Sequence, residues 1–391
     1  MIAFVATVTF RLAFRRHMRF FSMTSLAAAS TNPEGNIWIY KSQQDAPFPS
    51  SMQLLKDASS NIKCPLLKMT PSIPPEKRLH RSNSSLEELY NSKADFYREQ
   101  FEQRVVKADT TRIQRRRVQS PHSKRETDVT IYRPDNSESK MKGMCLHVHG
   151  GGWLWGDSHD QVAHRCLEMA SRLTAAVVSV EYSLLHHDRF NPVGDVIAAL
   201  EWIESCGAKE LGSEPVYVAS GESSGAHLLM LAMLHRRDDT MPKSSLKDAW
   251  KCLNLVYGVF DLSGTPSIRS DGEKSAPLCG DELLWLYKLY CSKVQSDDSL
   301  PVDSNDASVS PLYADLSSLP PALLSVGTAD PLLDDTLLMA EKYKSCNNDV
   351  EVSLIEAGEH GIGHFGFQEN EAIGVEARLH ALDFMKRHLT K

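Results

Sequence analysis

No two of the chain's eight cysteines stand at the C-x-x-C spacing used by metal sites and redox motifs; Cys64, Cys145, Cys166, Cys206, Cys252, Cys279, Cys291 and Cys346 are scattered singly. They read as reduced thiols, several of them small core hydrophobes, such as Cys145 in GMCLHV and Cys252 in KCLNLVYG. Positive charge is also short: 43 basic against 50 acidic residues leave a formal charge of -7. That excludes a general attraction to nucleic acid or to an anionic membrane, so a neutral small molecule is the default partner. The apolar stretch from Ile2 to Phe10 is too short to cross a bilayer, and no stable membrane span is expected. Apolar residues are not scarce, at 42% with 8% aromatic, which excludes disorder for most of the chain.

The first thirty residues lack acids altogether: none precedes Glu34, whereas Arg11, Arg15, Arg16 and Arg19 follow the apolar start. Residues 1–30 therefore resemble a mitochondrial presequence, with a cytoplasmic protein bearing a basic tail as the alternative. At 391 residues the chain fits one large domain plus an N-terminal extension. Residues 31–84, rich in Ser, Pro, Asn and Lys, read as linker or loose cover. In Ser84–Val106, Leu86, Leu89, Tyr90, Phe96 and Tyr97 recur at near-helical spacing, so residues 31–111 are expected to be linker plus an N-terminal cap helix.

The main domain spans 112–391. RIQRRRVQS and TDVTIYRP alternate enough to form an edge hairpin, its arginines at 115–117 guarding the open edge. Beyond it, MCLHVH, AAVVSVEY, EPVYVAS, CLNLVYGVF, PALLSVG and VEVSLIEA alternate with helical runs such as HDQVAHRCLEMASRL and SGAHLLMLAMLHRR. Strands rich in Val, Leu and Ala without strict alternation are buried on both faces. The expected architecture is doubly wound α/β, a mostly parallel central sheet flanked by helices. The long connection after Phe260 predicts a helical cap inserted at 262–309.

Two segments carry chemistry. In YVASGESSGAHLL a strand ends, Gly221-Glu222-Ser223-Ser224-Gly225 follows, and a helix starts at once. G-x-S-x-G is weak as a bare pattern, but between strand and helix it marks a sharp turn that presents Ser223 as a nucleophile. Ser224 is the rival, and its flanks Glu222 and Ala226 fail the same steric requirement. Upstream, in LHVHGGGWLWGD, Gly150, Gly151 and Gly152 follow a strand, so their N–H groups can converge on one point and hold an oxyanion. An orienting acid is expected at the carboxyl end of PALLSVG, where Asp330 stands; Asp261 also follows a strand, while Asp334 and Asp335 suit the first turn of the next helix. His360 and His364, just past the last strand, are the candidate bases. His147, His149, His164, His186 and His187 fall too early for the order Ser, Asp, His and are expected to satisfy backbone or face solvent.

These residues resemble the hormone-sensitive-lipase-like branch of the α/β-hydrolases, marked by HGGG, G-x-S-x-G and D-P-L-x-D, over about residues 126–388. Tyr182-Ser183-Leu184 is similar to that family's Y-R-L strand end, though Leu185-His186-His187 replaces the usual A-P-E. The resemblance implies that Asp330 orients the base, that His360, followed by Gly361 and Ile362, is that base with His364 as the alternative, and that the N–H groups of Gly151, Gly152 and Ser224 form the oxyanion hole. The expected activity is hydrolysis of carboxylic esters of short to medium acyl chain through an acyl-enzyme on Ser223, with no metal or organic cofactor. An arylformamidase-like amidase is the alternative on the same triad, since Trp153 follows the glycines. A hydrolase-like receptor without catalysis is the alternative from another class.

Overall fold

In the computed structural model, which describes residues 28–31, 37–41, 109–135, 140–159, 162–239, 243–271, 278–294, 302–364 and 371–390, ten strands form one sheet. They are β1 (Ala28–Thr31), β2 (Ile37–Lys41), β3 (Ile113–Gln119), β4 (Glu126–Tyr132), β5 (Met144–Val148), β6 (Ala176–Glu181), β7 (Tyr217–Glu222), β8 (Trp250–Val256), β9 (Ala322–Gly327) and β10 (Val350–Ile355). Their order is β1-β2-β10-β9-β8-β7-β5-β6-β4-β3. The pairs from β2 to β6 are parallel, and the antiparallel ones lie at the two edges: β1 with β2, β3 with β4, and β4 with β6. The arginine-bearing hairpin is therefore the edge that alternation predicted, Arg116 opposite Val129 and Arg117 opposite Asp128.

Every residue of β5, β7 and β9 is buried, because helices cover both faces. On one face, Cys145, Val177, Val218, Cys252 and Leu323 pack against α1 (Ala163–Leu173) and α8 (Glu371–Leu389). On the other, Leu146, Val178, Ala219, Leu255 and Leu324 meet α2 (Pro192–Trp202), α3 (Ser224–Asp239) and α7 (Leu333–Ser345). Local chemistry sets the ends of these helices. Asn191 accepts the Gly194 N–H at the start of α2, with Pro192 in the first turn where its missing N–H costs nothing. A short α4 (Lys243–Ala249) leads into β8.

Inside 262–309 lie α5 (Pro266–Asp271) and α6 (Gly280–Lys293), the latter opened by a capping box in which Glu282 accepts the Cys279 N–H. The linker expectation for 31–84 needs correction: Ile37–Lys41 is a strand paired parallel with β10, and Ala28–Thr31, whose first three residues fall within the presequence candidate, pairs with it in turn. Trp38 fixes this addition, donating to Glu351 at 3.1 Å and packing on His380. The cap helix expected over 84–106 lies outside the described residues.

Candidate active site

The carboxyl ends of the parallel strands bring together the three side chains singled out by the sequence. Ser223 sits between β7 and α3 with φ of 53°, a left-handed conformation that costs a non-glycine residue energy and persists because its surroundings hold it. Its N–H donates to the Val256 carbonyl at the end of β8, and its carbonyl accepts from Ala226 and His227 in the first turn of α3. Gly225 must be glycine, since a Cβ there would lie 2.2 Å from the Val148 carbonyl oxygen. The elbow is thus pressed against the end of β5, from which the glycine loop departs.

His360 Nε2 stands 3.1 Å from Ser223 Oγ, and its Nδ1 is 3.0 and 3.2 Å from the two carboxylate oxygens of Asp330. All three residues are buried. Asp330 follows β9, and one of its oxygens also accepts the Leu332 N–H at 2.9 Å. The turn after β9 is laced to the loop after β10 by Thr328 N–H to Ile355 and Ala329 N–H to Gly358, so acid and base are positioned by adjacent strands. The Tyr257 ring lies against His360, 4.7 Å between centroids.

Gly150 lies against the elbow, where a Cβ would come 3.3 Å from that of Ser223. Gly151 has φ of 132°, and a Cβ there would meet the Trp155 carbonyl oxygen at 2.0 Å, so only glycine allows this loop. Ser224 opens α3, and its N–H belongs to the first turn, where no intrahelical acceptor exists. From above, α6 covers the loop: Leu286 stands against Gly152, and Tyr287 and Tyr290 pack around the fully buried Trp153.

His364 is not brought to the serine. Its Nδ1 faces the Ile362 carbonyl, and its Nε2 lies 3.8 Å from Glu222. It belongs to a cluster behind the elbow that pattern reading missed. Arg165 of α1 donates to Glu222 at 2.8 Å, and His147 of β5 lies 3.8 Å from the other oxygen of that carboxylate. His147 is therefore neither backbone-satisfied nor exposed, contrary to expectation. Burial opposes charge on Glu222, yet Arg165 and the neighbouring histidines hold its carboxyl down to about 2. Burial lowers His147 and His364 to about 4 each, so both are neutral at pH 7 and the ion pair is that of Arg165 with Glu222. Removing one partner of such a buried pair costs about 3–5 kcal/mol. In the structure Arg165 shares the buried face of α1 with Cys166, Met169 and Ala170, a spacing that in sequence reads as ordinary packing. A cavity of about 30 Å³ lies beside the cluster, lined by Arg165, Ser220, Glu222, Asn254, Ser325 and His364, with polar partners for about two or three waters.

The competing acids sit elsewhere. Asp335 does more than charge the first turn of α7: it accepts the N–H groups of Phe260 and Asp261 and the Thr265 hydroxyl, tying the root of the cap to α7. Asp334 accepts the Ser267 N–H, and Asp261 receives the Tyr313 hydroxyl. Among the described residues no group of His, Cys, Asp and Glu has the arrangement of a metal site.

The chain is similar to known proteins in sequence and fold. A family model described as alpha/beta hydrolase fold matches residues 145–364. The chain is 30% identical over 266 residues to carboxylesterase NlhH of Mycobacterium tuberculosis, covering 67% of this chain and 78% of that protein. It is 26% identical over 270 residues to ethyl acetate hydrolase of Pseudomonas putida, with the same coverage. Among solved structures, the thermostable carboxylesterase EstE1 from a metagenomic library superposes with a TM-score of 0.64 at 25% identity, over 78% of this chain and 97% of that one. A hyperthermophilic esterase of Pyrobaculum calidifontis, at 22% identity and a TM-score of 0.61, shares the fold over 78% of this chain and 93% of its own. On the family match and the mycobacterial relative together, the chain belongs to the alpha/beta hydrolase fold family.

Proposed function

We propose that this chain is a serine hydrolase that cleaves carboxylic esters of short to medium acyl chain through an acyl-enzyme on Ser223. The observation that carries the reading is the unbroken line from Asp330 through His360 to Ser223 Oγ, at 3.0 and 3.1 Å. Its relatives named as carboxylesterase and ethyl acetate hydrolase support the same chemistry.

In the first half-reaction Asp330 holds His360 with a proton on Nδ1, which leaves Nε2 free to take the Ser223 proton as Oγ attacks the carbonyl carbon. The N–H groups of the glycine loop, Gly151 and Gly152 foremost, and of Ser224 receive the developing oxyanion. The C–O bond to the alcohol then breaks, and His360 returns its proton to the leaving alkoxide. In the second half-reaction His360 deprotonates water, which attacks the acyl-enzyme, and Ser223 leaves with the proton restored. Leu286 and the aromatic residues of α6 crowd the glycine loop, which supports a preference for shorter acyl chains.

A panel of p-nitrophenyl esters of increasing chain length, with an N-formyl aryl amide beside them, tests the proposal on wild type and Ser223→Ala. Ester turnover that peaks at short to medium chains and vanishes in the variant is expected; faster cleavage of the formamide would move the assignment to an amidase. Mitochondrial import through residues 1–30 belongs to the same reading, and a fluorescent fusion of that segment that stays cytosolic would overturn it.

A further inference from the structure

The last residue of β7 is a carboxylate that the reaction itself does not use. Glu222 Oε2 accepts from one terminal guanidinium nitrogen of Arg165 at 2.8 Å, and the other terminal nitrogen donates to the His364 carbonyl at 3.3 Å. His364 lies four residues beyond His360, and the preceding carbonyl, that of Gly363, accepts Arg378 Nε from α8 at 3.0 Å. Two arginines on α1 and α8 thus hold consecutive carbonyls of the base loop. Only Arg165 is anchored to the residue adjoining the nucleophile.

We propose that Glu222 is a positioning residue which, by clamping Arg165, holds the His360 loop in line with Ser223; this rests on the reading of Ser223, His360 and Asp330 as the catalytic set. One peptide bond separates Glu222 from Ser223, so the clamp is a second link between nucleophile and base, independent of the hydrogen bond between their side chains. His147 Nε2 and His364 Nε2 both lie 3.8 Å from Oε1, outside hydrogen-bond range, whereas the guanidinium is bonded to Oε2 at 2.8 Å and carries the connection. A misplacement of about 1 Å in such a constellation lowers turnover by about a hundredfold.

The test compares wild type with Glu222→Gln, Arg165→Lys and the double variant Glu222→Gln/Arg165→Met. The readouts are kcat and KM on p-nitrophenyl butyrate, melting temperature, hydrogen exchange of amides 358–364, and the rate of fluorophosphonate labelling. Each variant is expected to lose about ten- to a hundredfold in kcat and in labelling rate, with KM within about threefold and faster exchange in the loop. The double variant, which buries no unpaired charge, is expected to recover melting temperature without recovering kcat. A double variant that regains both overturns the proposal, because the pair would then be structural only. If the Gln variants do not fold, Arg165→Lys decides: it keeps a charge beside Glu222 but cannot span both acceptors, and wild-type kcat in it overturns the clamp. Absence of label on Ser223 in wild type is instead a failure of the catalytic reading, and the clamp falls with it.

Discussion

His360 Nδ1 lies 3.0 and 3.2 Å from the two carboxylate oxygens of Asp330, thirty positions away in the chain. Facing both oxygens, the ring has one choice of tautomer: the proton belongs on Nδ1, and Nε2 presents its lone pair to Ser223.

Asp330→Asn keeps the shape and removes the preference for that tautomer. The expected loss in kcat is about 10⁴-fold, with the fold intact by circular dichroism. A loss below tenfold in steady-state assays would contradict the orienting role.

The two loop histidines separate by the same measurement. His360→Gln is expected to lower kcat by several orders of magnitude, whereas His364→Gln, which keeps the backbone carbonyl that Arg165 holds, is expected to lower it less than tenfold. The reverse order would transfer the base to His364.

Chain-length preference follows from α6. Leu286 is fully buried against Gly152, so Leu286→Ala opens space beside the glycine loop. The ratio of kcat/KM for a decanoate ester over a butyrate ester is expected to rise about tenfold, the scale of one to two methylenes' worth of pocket contact. An unchanged ratio would place the acyl chain elsewhere.

Acid sensitivity follows from the buried histidines. Burial lowers His147, His227 and His364 to about 4, below the unfolded value near 6.5, so between these values the unfolded chain binds protons that the folded one does not. Stability from these groups is therefore full above about pH 6.5 and falls as the pH drops toward 4. Asp335, raised to about 7 by burial, runs in the opposite sense, losing stability as the pH rises from about 4 to 7. Three histidines outweigh one carboxyl, and Glu222 adds to the loss below about pH 4. Urea midpoints at pH 7, 5.5 and 4.5 are expected to decline in that order; a rise would refute the balance.

Much of the site was legible because its chemistry demands unusual backbone. Glycines around a serine, and three more after a strand, mark places where side chains cannot fit, and the Cβ clashes at Gly151 and Gly225 give the reason. The choice of His360 over His364 rested on resemblance alone, since both follow the same strand at nearly the same distance; the fold decides it by what each ring faces. The parallel sheet was readable from strands buried on both sides. The β2 strand was not, because IWIYK is five residues in a polar stretch and becomes a strand through its pairing with β10, more than three hundred positions later. Glu222 was hidden for another reason: it occupies the variable place in G-x-S-x-G, and its partner Arg165 approaches from a helix whose period reads as ordinary packing.

The central claim is that Ser223 carries the acyl group, and trapping that intermediate tests it most directly. Wild-type protein mixed with a p-nitrophenyl ester, quenched in acid and digested, is expected to yield an acylated peptide containing Ser223, with a burst of p-nitrophenol matching the enzyme concentration when deacylation is slow. An acyl group found on Ser224, or ester turnover that persists in Ser223→Ala, would contradict it.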